Sequence, residues 1–373
     1  RTNYFETVPS NRLELALWLE SDRMGYLLDK LDEAALANQQ DVVRNERRQS
    51  VENAPYGLVE EELWHQLFPP GHPYYASVIG SHDDIQNANG DKAKFATIAD
   101  QMLNAGANVL LIVNLDSPSA AAVINKAKQQ GVPVIDYDRL TLGGGASYYV
   151  SFDNVAVGSA IGEGLVKCMQ DGGNDSGPVA LLNGSPTDNN ATLFKNGYDS
   201  VINPKFDSGD WTEVDDQAVP DWDNQRALTI FEQMLQKADN KIDGVLAAND
   251  GLGNAAISAI KQRKLDQIPV TGQDATLQGI QNIVAGDQCM TVYKAIKKEA
   301  DAAAELAIAL AKGETPEAPD TINNETKDIP AVFLDPVAVT KDNIKEYLGE
   351  PDFPKKEEIC AGNLASKCEE LGL

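Results

Sequence analysis

From Asp91 to about residue 334 the chain repeats one unit, a short apolar run followed by a helical stretch. Asn108–Val113, Val132–Tyr137, Tyr148–Phe152, Val179–Asn183, Gly244–Ala248, Ile268–Gly272 and Met290–Tyr293 read as strands. Helices are predicted over 93–104, 118–130, 155–169, 190–202, 223–237, 251–262, 276–284 and 295–312, and a segment near Ala331–Leu334 closes the pattern. The strand runs are continuous in apolar residues rather than alternating, which suits strands buried on both faces of a parallel sheet. Strand–helix alternation at this spacing predicts an α/β fold with doubly wound parallel sheets. In such sheets ligands sit beyond the carboxyl ends of the strands.

The first 86 residues have a different character. All three histidines (His65, His72, His82) lie there, all four cysteines lie later, and only four of the 29 glycines fall in this stretch. Ser10 can cap a helix whose apolar face carries Leu13, Ala16, Leu17, Met24, Leu27, Leu28 and Leu31. Further helices are predicted over Glu33–Val51 and Leu58–Phe68, and a boundary over 84–90. A length of 373 residues calls for two or three domains. With 57 Asp+Glu against 31 Lys+Arg the net charge is −26, which repels nucleic-acid phosphates and anionic membrane surfaces. No run of about 18 apolar residues is present to span a bilayer. The chain starts at Arg1 on polar, helix-like sequence, so no signal peptide is expected within it.

Five strands end in polar groups: Asp138-Arg139, Asn183 with Asp188-Asn189-Asn190 beyond it, Asn249-Asp250, Gln273-Asp274, and Lys294. Any one of these positions is equally well a helix cap. Five together, with an Arg and a Lys among them, point to a site. Carboxylates accept protons from hydroxyls while Arg, Lys and amides donate back, so the set suits a neutral polyhydroxyl ligand. Trp222 or Trp211 is the candidate for stacking on the apolar face of a sugar ring. No histidine follows residue 82, so no Ser/His/Asp arrangement exists in this part, and Gly143-Gly144-Gly145 is not a phosphate-binding fingerprint. Neither a cofactor nor a metal is called for.

The motifs Val-Ile-Asp-Tyr-Asp138-Arg139, Ser151-Phe-Asp-Asn154, Asn183-Gly-Ser-Pro-Thr-Asp-Asn-Asn190, Ala248-Asn-Asp250, Thr271-Gly-Gln-Asp274 and Met290-Thr-Val-Tyr-Lys294 carry a family resemblance. Residues from about 87 to 373 resemble the periplasmic sugar-binding proteins of ABC importers, most closely the xylose-binding type. The resemblance implies a two-lobed type I periplasmic-binding-protein fold with the sugar in the cleft. It implies an N-lobe of residues 87–150 plus 295–340, a C-lobe of 151–294 and a tail of 341–373. It also implies ligand contacts at Asp138, Arg139, Asn190, Asn249, Asp250, Asp274 and Lys294, with Trp222 as the stacking aromatic and Asn189 as a neighbouring candidate. No counterpart of the family's first strand, helix and second strand is found, so the N-lobe is expected to lack its first strands.

Residues 1–86 resemble an internal fragment of the pitrilysin/insulinase-type zinc metallopeptidases. Arg1-Thr-Asn-Tyr-Phe-Glu-Thr-Val-Pro-Ser10, Leu17-Trp-Leu-Glu-Ser-Asp-Arg-Met24, Val42-Val-Arg-Asn-Glu-Arg-Arg-Gln-Ser-Val-Glu52 and Gly71-His-Pro-Tyr-Tyr75 carry that resemblance. Glu46 stands where that family's third zinc ligand would be, but the H-x-x-E-H motif is absent, and one Glu cannot build a hydrolytic zinc site. The chain reads as two unrelated partial genes joined near residue 86.

Cys360 and Cys368 are close enough in sequence for a local disulfide, and Cys168 and Cys289 fall at the far rim of the C-lobe. A Cys168–Cys289 and Cys360–Cys368 pairing rests mainly on the sugar-binding resemblance, four reduced thiols being the alternative. The leading reading is a monomeric, non-catalytic solute-binding protein for a monosaccharide, xylose first. It would partner an ABC permease in a periplasmic or extracellular, membrane-associated setting. The alternative is a non-functional fusion of a truncated receptor with an inactive peptidase fragment. A sugar-responsive transcription regulator would need a basic N-terminal helix-turn-helix, but residues 1–86 carry 7 Lys+Arg against 15 Asp+Glu.

Overall fold

Apolar runs bounded by Asp, Asn and Thr caps divide the chain into short strands and capped helices, and the caps are made as the sequence implies. Asp116, Asp153, Asp188, Asp223, Asn249 and Thr276 each accept a bond from a backbone N–H in the first turn of the helix that follows. The computed structural model describes residues 92–173 and 175–373. The helices expected in residues 1–86, Glu46, the three histidines and the peptidase-like segment lie outside the described residues.

In the N-lobe, helix α1 (Lys92–Asn104) leads into β1 (Leu110–Ile112), α2 (Ser117–Gln129), β2 (Val134–Tyr137) and β3 (Tyr148–Phe152). The sheet is completed by β9 (Asp328–Leu334) and β8 (Asp320–Asn323), in the order β1-β2-β3-β9-β8, parallel except for β8. Helices α1 and α2 cover one face through Leu103, Val123, Ile124 and Ala127. Helix α8 (Ile296–Ala311) covers the other through Ala303 and Leu306. Among the described residues no strand pairs with the outer edge of β1, and Leu111 on it is half-exposed.

The C-lobe follows the same plan. It contains α3 (Asn154–Asp171), β4 (Gly177–Asn183), α4 (Asn189–Asp207), β5 (Trp211–Ala218), α5 (Asn224–Lys237), β6 (Gly244–Ala247), α6 (Asp250–Gln262), α7 (Leu277–Ala285) and β7 (Met290–Tyr293). Strands β5-β4-β6 are parallel. The segment 269–272 bonds to β6 through the Val245 and Thr271 amides, and to β7 through the Cys289 and Val292 amides. Strand β10 (Val337–Thr340) closes the edge antiparallel to β7. Apolar clusters on both faces account for the unbroken apolar runs of β4 and β6.

Three crossovers join the lobes, at 152–154, 293–296 and 334–337. They lie side by side: Phe152 pairs with Leu334, Tyr293 pairs with Val337, and the Asp153 amide donates to the Leu334 carbonyl at 3.0 Å. The divisions drawn from sequence shift accordingly. Residues 151–152 continue β3 of the N-lobe, and 337–340, placed in the N-lobe, pair with β7 of the C-lobe. Residues 341–373, read as a separate tail, form α9 (Ile344–Tyr347), α10 (Lys356–Ile359) and α11 (Ala365–Glu370). Their Ile344, Phe353, Ile359 and Cys368 share an apolar cluster with Ile280, Ile283 and Tyr293, which makes them part of the C-lobe.

Both disulfides form: Cys168–Cys289 ties the end of α3 to the start of β7, and Cys360–Cys368 staples the C-terminal segment. Helices α3 and α4 approach closely because a methyl at Gly158 would overlap the Phe194 carbonyl, and one at Gly197 would overlap that of Val155.

Gly158→Val is expected to lower stability by about 3 kcal/mol, because the obstructing atoms are backbone. An unchanged denaturation midpoint would show that the two helices part freely. The bridges close sequence separations of 121 and 8 residues. Replacing Cys168 and Cys289 by alanine should therefore cost about 4–5 kcal/mol, against about 2–3 for Cys360 and Cys368. Equal losses in paired denaturation curves would contradict the loop-entropy account.

Candidate functional site

The polar strand ends of both lobes converge on the cleft beside the crossovers. The cleft has a volume of about 270 Å³, room for a small molecule. Of the residues singled out from sequence, Asp138, Arg139, Asn190, Trp222, Asn249, Asp274 and Lys294 line it.

Asp138 follows β2, and its amide donates to the Val150 carbonyl on β3 at 2.8 Å. Its own carbonyl accepts from Ser151 Oγ (2.9 Å), Tyr149 OH (3.0 Å) and Asn190 Nδ2 (3.0 Å). Those bonds hold the residue at a φ of 60°, an uncommon conformation for a residue with a side chain. Asp274 occupies the same place in the C-lobe: its amide donates to the Val292 carbonyl on β7 at 2.8 Å, and its φ is 97°. Each lobe thus offers one carboxylate from a strained strand end.

Two cations complement them. Lys294 Nζ lies 3.1 Å from Asp274 Oδ1, and Arg139 Nε lies 3.1 Å from Asp188 Oδ2, across the cleft. Burial works against the Lys294 charge, but Asp274 and Asp138 hold its pKa above the ordinary lysine value. Burial pushes Asp138 upward, against the pull of Lys294.

The aromatic wall depends on a close approach. Pro220–Trp222 forms a tight turn in which Asp221 and Trp222 both have positive φ. The indole Nε1–H donates to Asp188 Oδ2 at 3.1 Å, and its ring lies over Gly184, where a methyl would overlap it. Phe194 meets the indole edge to face at 6.4 Å, with Lys294 Nζ 6.0 Å from the Phe194 ring centre.

Three expected residues fall elsewhere. Asp250 is fully buried beneath the cleft; it accepts from Gln288 Nε2 and Thr291 Oγ1 on one oxygen and from the Thr276 amide and hydroxyl on the other. Burial pushes it up to about 6 against those bonds. Asn189 opens α4 but does not line the cleft. Trp211 is buried in the C-lobe core and donates to the Asp175 carbonyl.

Four residues outside the ligand set implied from sequence also line it: Asp188 and Gln273, which stand among the polar strand ends, and Phe194 and Asp221. Asp188 stands two residues before Asn190 and was legible as a cap. Phe194 lies one helical turn after Asn190, hence on the same face. Gln273 is buried, and its Oε1 has no hydrogen-bond partner, leaving an acceptor for a ligand hydroxyl.

The wall therefore alternates carboxylates, amides and cations beside an aromatic face. Two lobes on a three-stranded hinge with such a cleft have the construction of a binding protein that closes on a small polar molecule. A family model described as a periplasmic binding protein domain matches residues 74–315. The D-xylose-binding periplasmic protein of Escherichia coli (strain K12) is 39% identical over 285 residues, covering 76% of this chain and 85% of that protein. The multiple sugar-binding periplasmic receptor ChvE of Rhizobium radiobacter is 33% identical over 302 residues, covering 75% of this chain and 84% of its own. A carbohydrate transporter solute binding protein from Chloroflexus aurantiacus, solved with D-glucose, superimposes with a TM-score of 0.66 at 31% identity, covering 72% of this chain and 86% of that one. The chain belongs to the periplasmic binding protein family. The family match begins at residue 74, inside the stretch that the sequence reading set apart as 1–86. Among the described residues no helix is long and apolar enough to cross a membrane.

Gly184→Ala should push the Trp222 indole off its seat, changing the near-UV circular dichroism while the far-UV spectrum is retained. Identical near-UV spectra would show that the ring does not depend on this approach.

Proposed function

We propose that the protein is a solute-binding protein for a monosaccharide, D-xylose first, which it presents in a closed form to an ABC-type importer. The observation that carries this reading is the cleft itself, where two opposed carboxylates, two cations, an unsatisfied amide oxygen and an aromatic wall meet. Asp138, Asp274 and Gln273 accept hydrogen bonds from sugar hydroxyls; Arg139, Lys294 and the amides of Asn190 and Asn249 donate to sugar oxygens; Trp222 faces the apolar side of the ring. The choice of xylose is supported by the relative at 39% identity, which is a D-xylose-binding protein. The protein makes and breaks no bond: closing the lobes about the three crossovers excludes water and strengthens each polar contact. It acts as a monomer in the periplasm or outside the cell, next to the membrane that holds its permease.

Calorimetric titration of the 373-residue chain with D-xylose, with ribose and glucose as controls, tests the reading. Saturable binding is expected, strongest for xylose. Asp274→Ala should weaken it by about tenfold to a hundredfold, as loss of a charged hydrogen bond implies. No heat with any sugar from folded protein would remove the proposal.

A further inference from the structure

A buried acid lies behind two of the residues that line this cleft. Glu299 sits in the first turn of α8, just past the crossover that carries Lys294. It is fully buried; its carboxyl oxygens make no close hydrogen bond, and the groups that approach them are the Tyr137 hydroxyl and the Asp138 amide. The titratable and charged groups that face it are Tyr137 and Asp138 from β2 and its end, Tyr149 from β3, and Lys294 from the end of β7. Two of these, Asp138 and Lys294, line the cleft. A carboxyl so loosely held in that position competes with Asp274 for the same ammonium whenever it carries a charge.

We propose that Glu299 is a positioning residue of the ligand site: neutral, it leaves Lys294 to Asp274 and the sugar; ionised, it draws Lys294 back into the wall and repels Asp138. The inference rests on the reading of the cleft as a sugar site. Burial first, and then the charge of Asp138, push Glu299 up to about 8 against the pull of Lys294. The acid is therefore neutral at pH 7 and ionises within an accessible range. Lys294 and Tyr137 stay in one form across that range. Lys294 is held above the ordinary lysine value, and burial pushes the Tyr137 hydroxyl up to about 12.

The test is D-xylose titration of the wild type and of Glu299→Gln from pH 6 to pH 9.5. Wild-type affinity should be level to about pH 7 and then fall by about tenfold as Glu299 ionises. Glu299→Gln should match the wild type at pH 7 and stay level to pH 9.5. Parallel profiles for the two proteins would overturn the role of Glu299 while leaving the sugar site standing. Absence of wild-type binding at pH 7 would overturn both.

Melting temperatures of the ligand-free proteins give a second, sugar-independent reading. An acid whose folded value is raised costs stability as pH rises from its unfolded value, near 4.5, to its folded one. The advantage of Glu299→Gln should therefore widen between pH 4.5 and 8 and then hold constant. A gap that does not change with pH would mean that Glu299 carries no titrating role.

Discussion

One buried carboxylate ties the two lobes together at the cleft. Asp188 closes the first turn of α4 with one oxygen; with the other it accepts the Trp222 indole N–H and pairs with Arg139 from the opposite lobe. A charge buried to this degree is tolerated only when its oxygens are occupied, and here the occupants are the parts of the cleft that must be held in register. The helix cap, the aromatic wall and the N-lobe cation therefore share a single anchor. The same logic places Asn190, whose amide donates to the Asp138 carbonyl of the other lobe and whose oxygen accepts from Asn154.

Around that anchor each lobe repeats a device. A residue just past a parallel strand turns its backbone to positive φ and donates its amide to the next strand, so that its carboxylate faces the cleft. Asp138 and Asp274 are the two instances. Backbone strain of this kind persists because neighbouring bonds over-determine it, and the three donors on the Asp138 carbonyl are such bonds. The result is a set of acceptors already oriented before a ligand arrives, which limits the ordering cost of binding.

Much of the architecture was legible in the pattern of apolar runs and caps, because strands covered on both faces have to be apolar throughout. Strand β5 was not legible. Its sequence, Trp211-Thr-Glu-Val-Asp-Asp-Gln-Ala218, lies at a sheet edge and is largely polar, so nothing in its composition sets it apart from a loop. The fate of residues 337–373 was equally hidden. Strand β10 is set by its pairing with β7, and the short helices after it by an apolar cluster assembled from distant segments.

The sequence by itself determined the alternation of elements, the two-sided burial of the strands and the kinds of chemical group that the strand ends carry, since these follow from local pattern and residue type. Tertiary structure alone decided which polar ends face one another. Asp250 and Asn249 are adjacent in the chain, yet one lies buried on Thr276, Gln288 and Thr291 while the other lines the cleft. Asp188 and Gln273 acquire their roles only from Arg139, Trp222 and an absent partner. The physical reason is that a carboxylate's task depends on what surrounds it, and those surroundings come from segments far away in sequence.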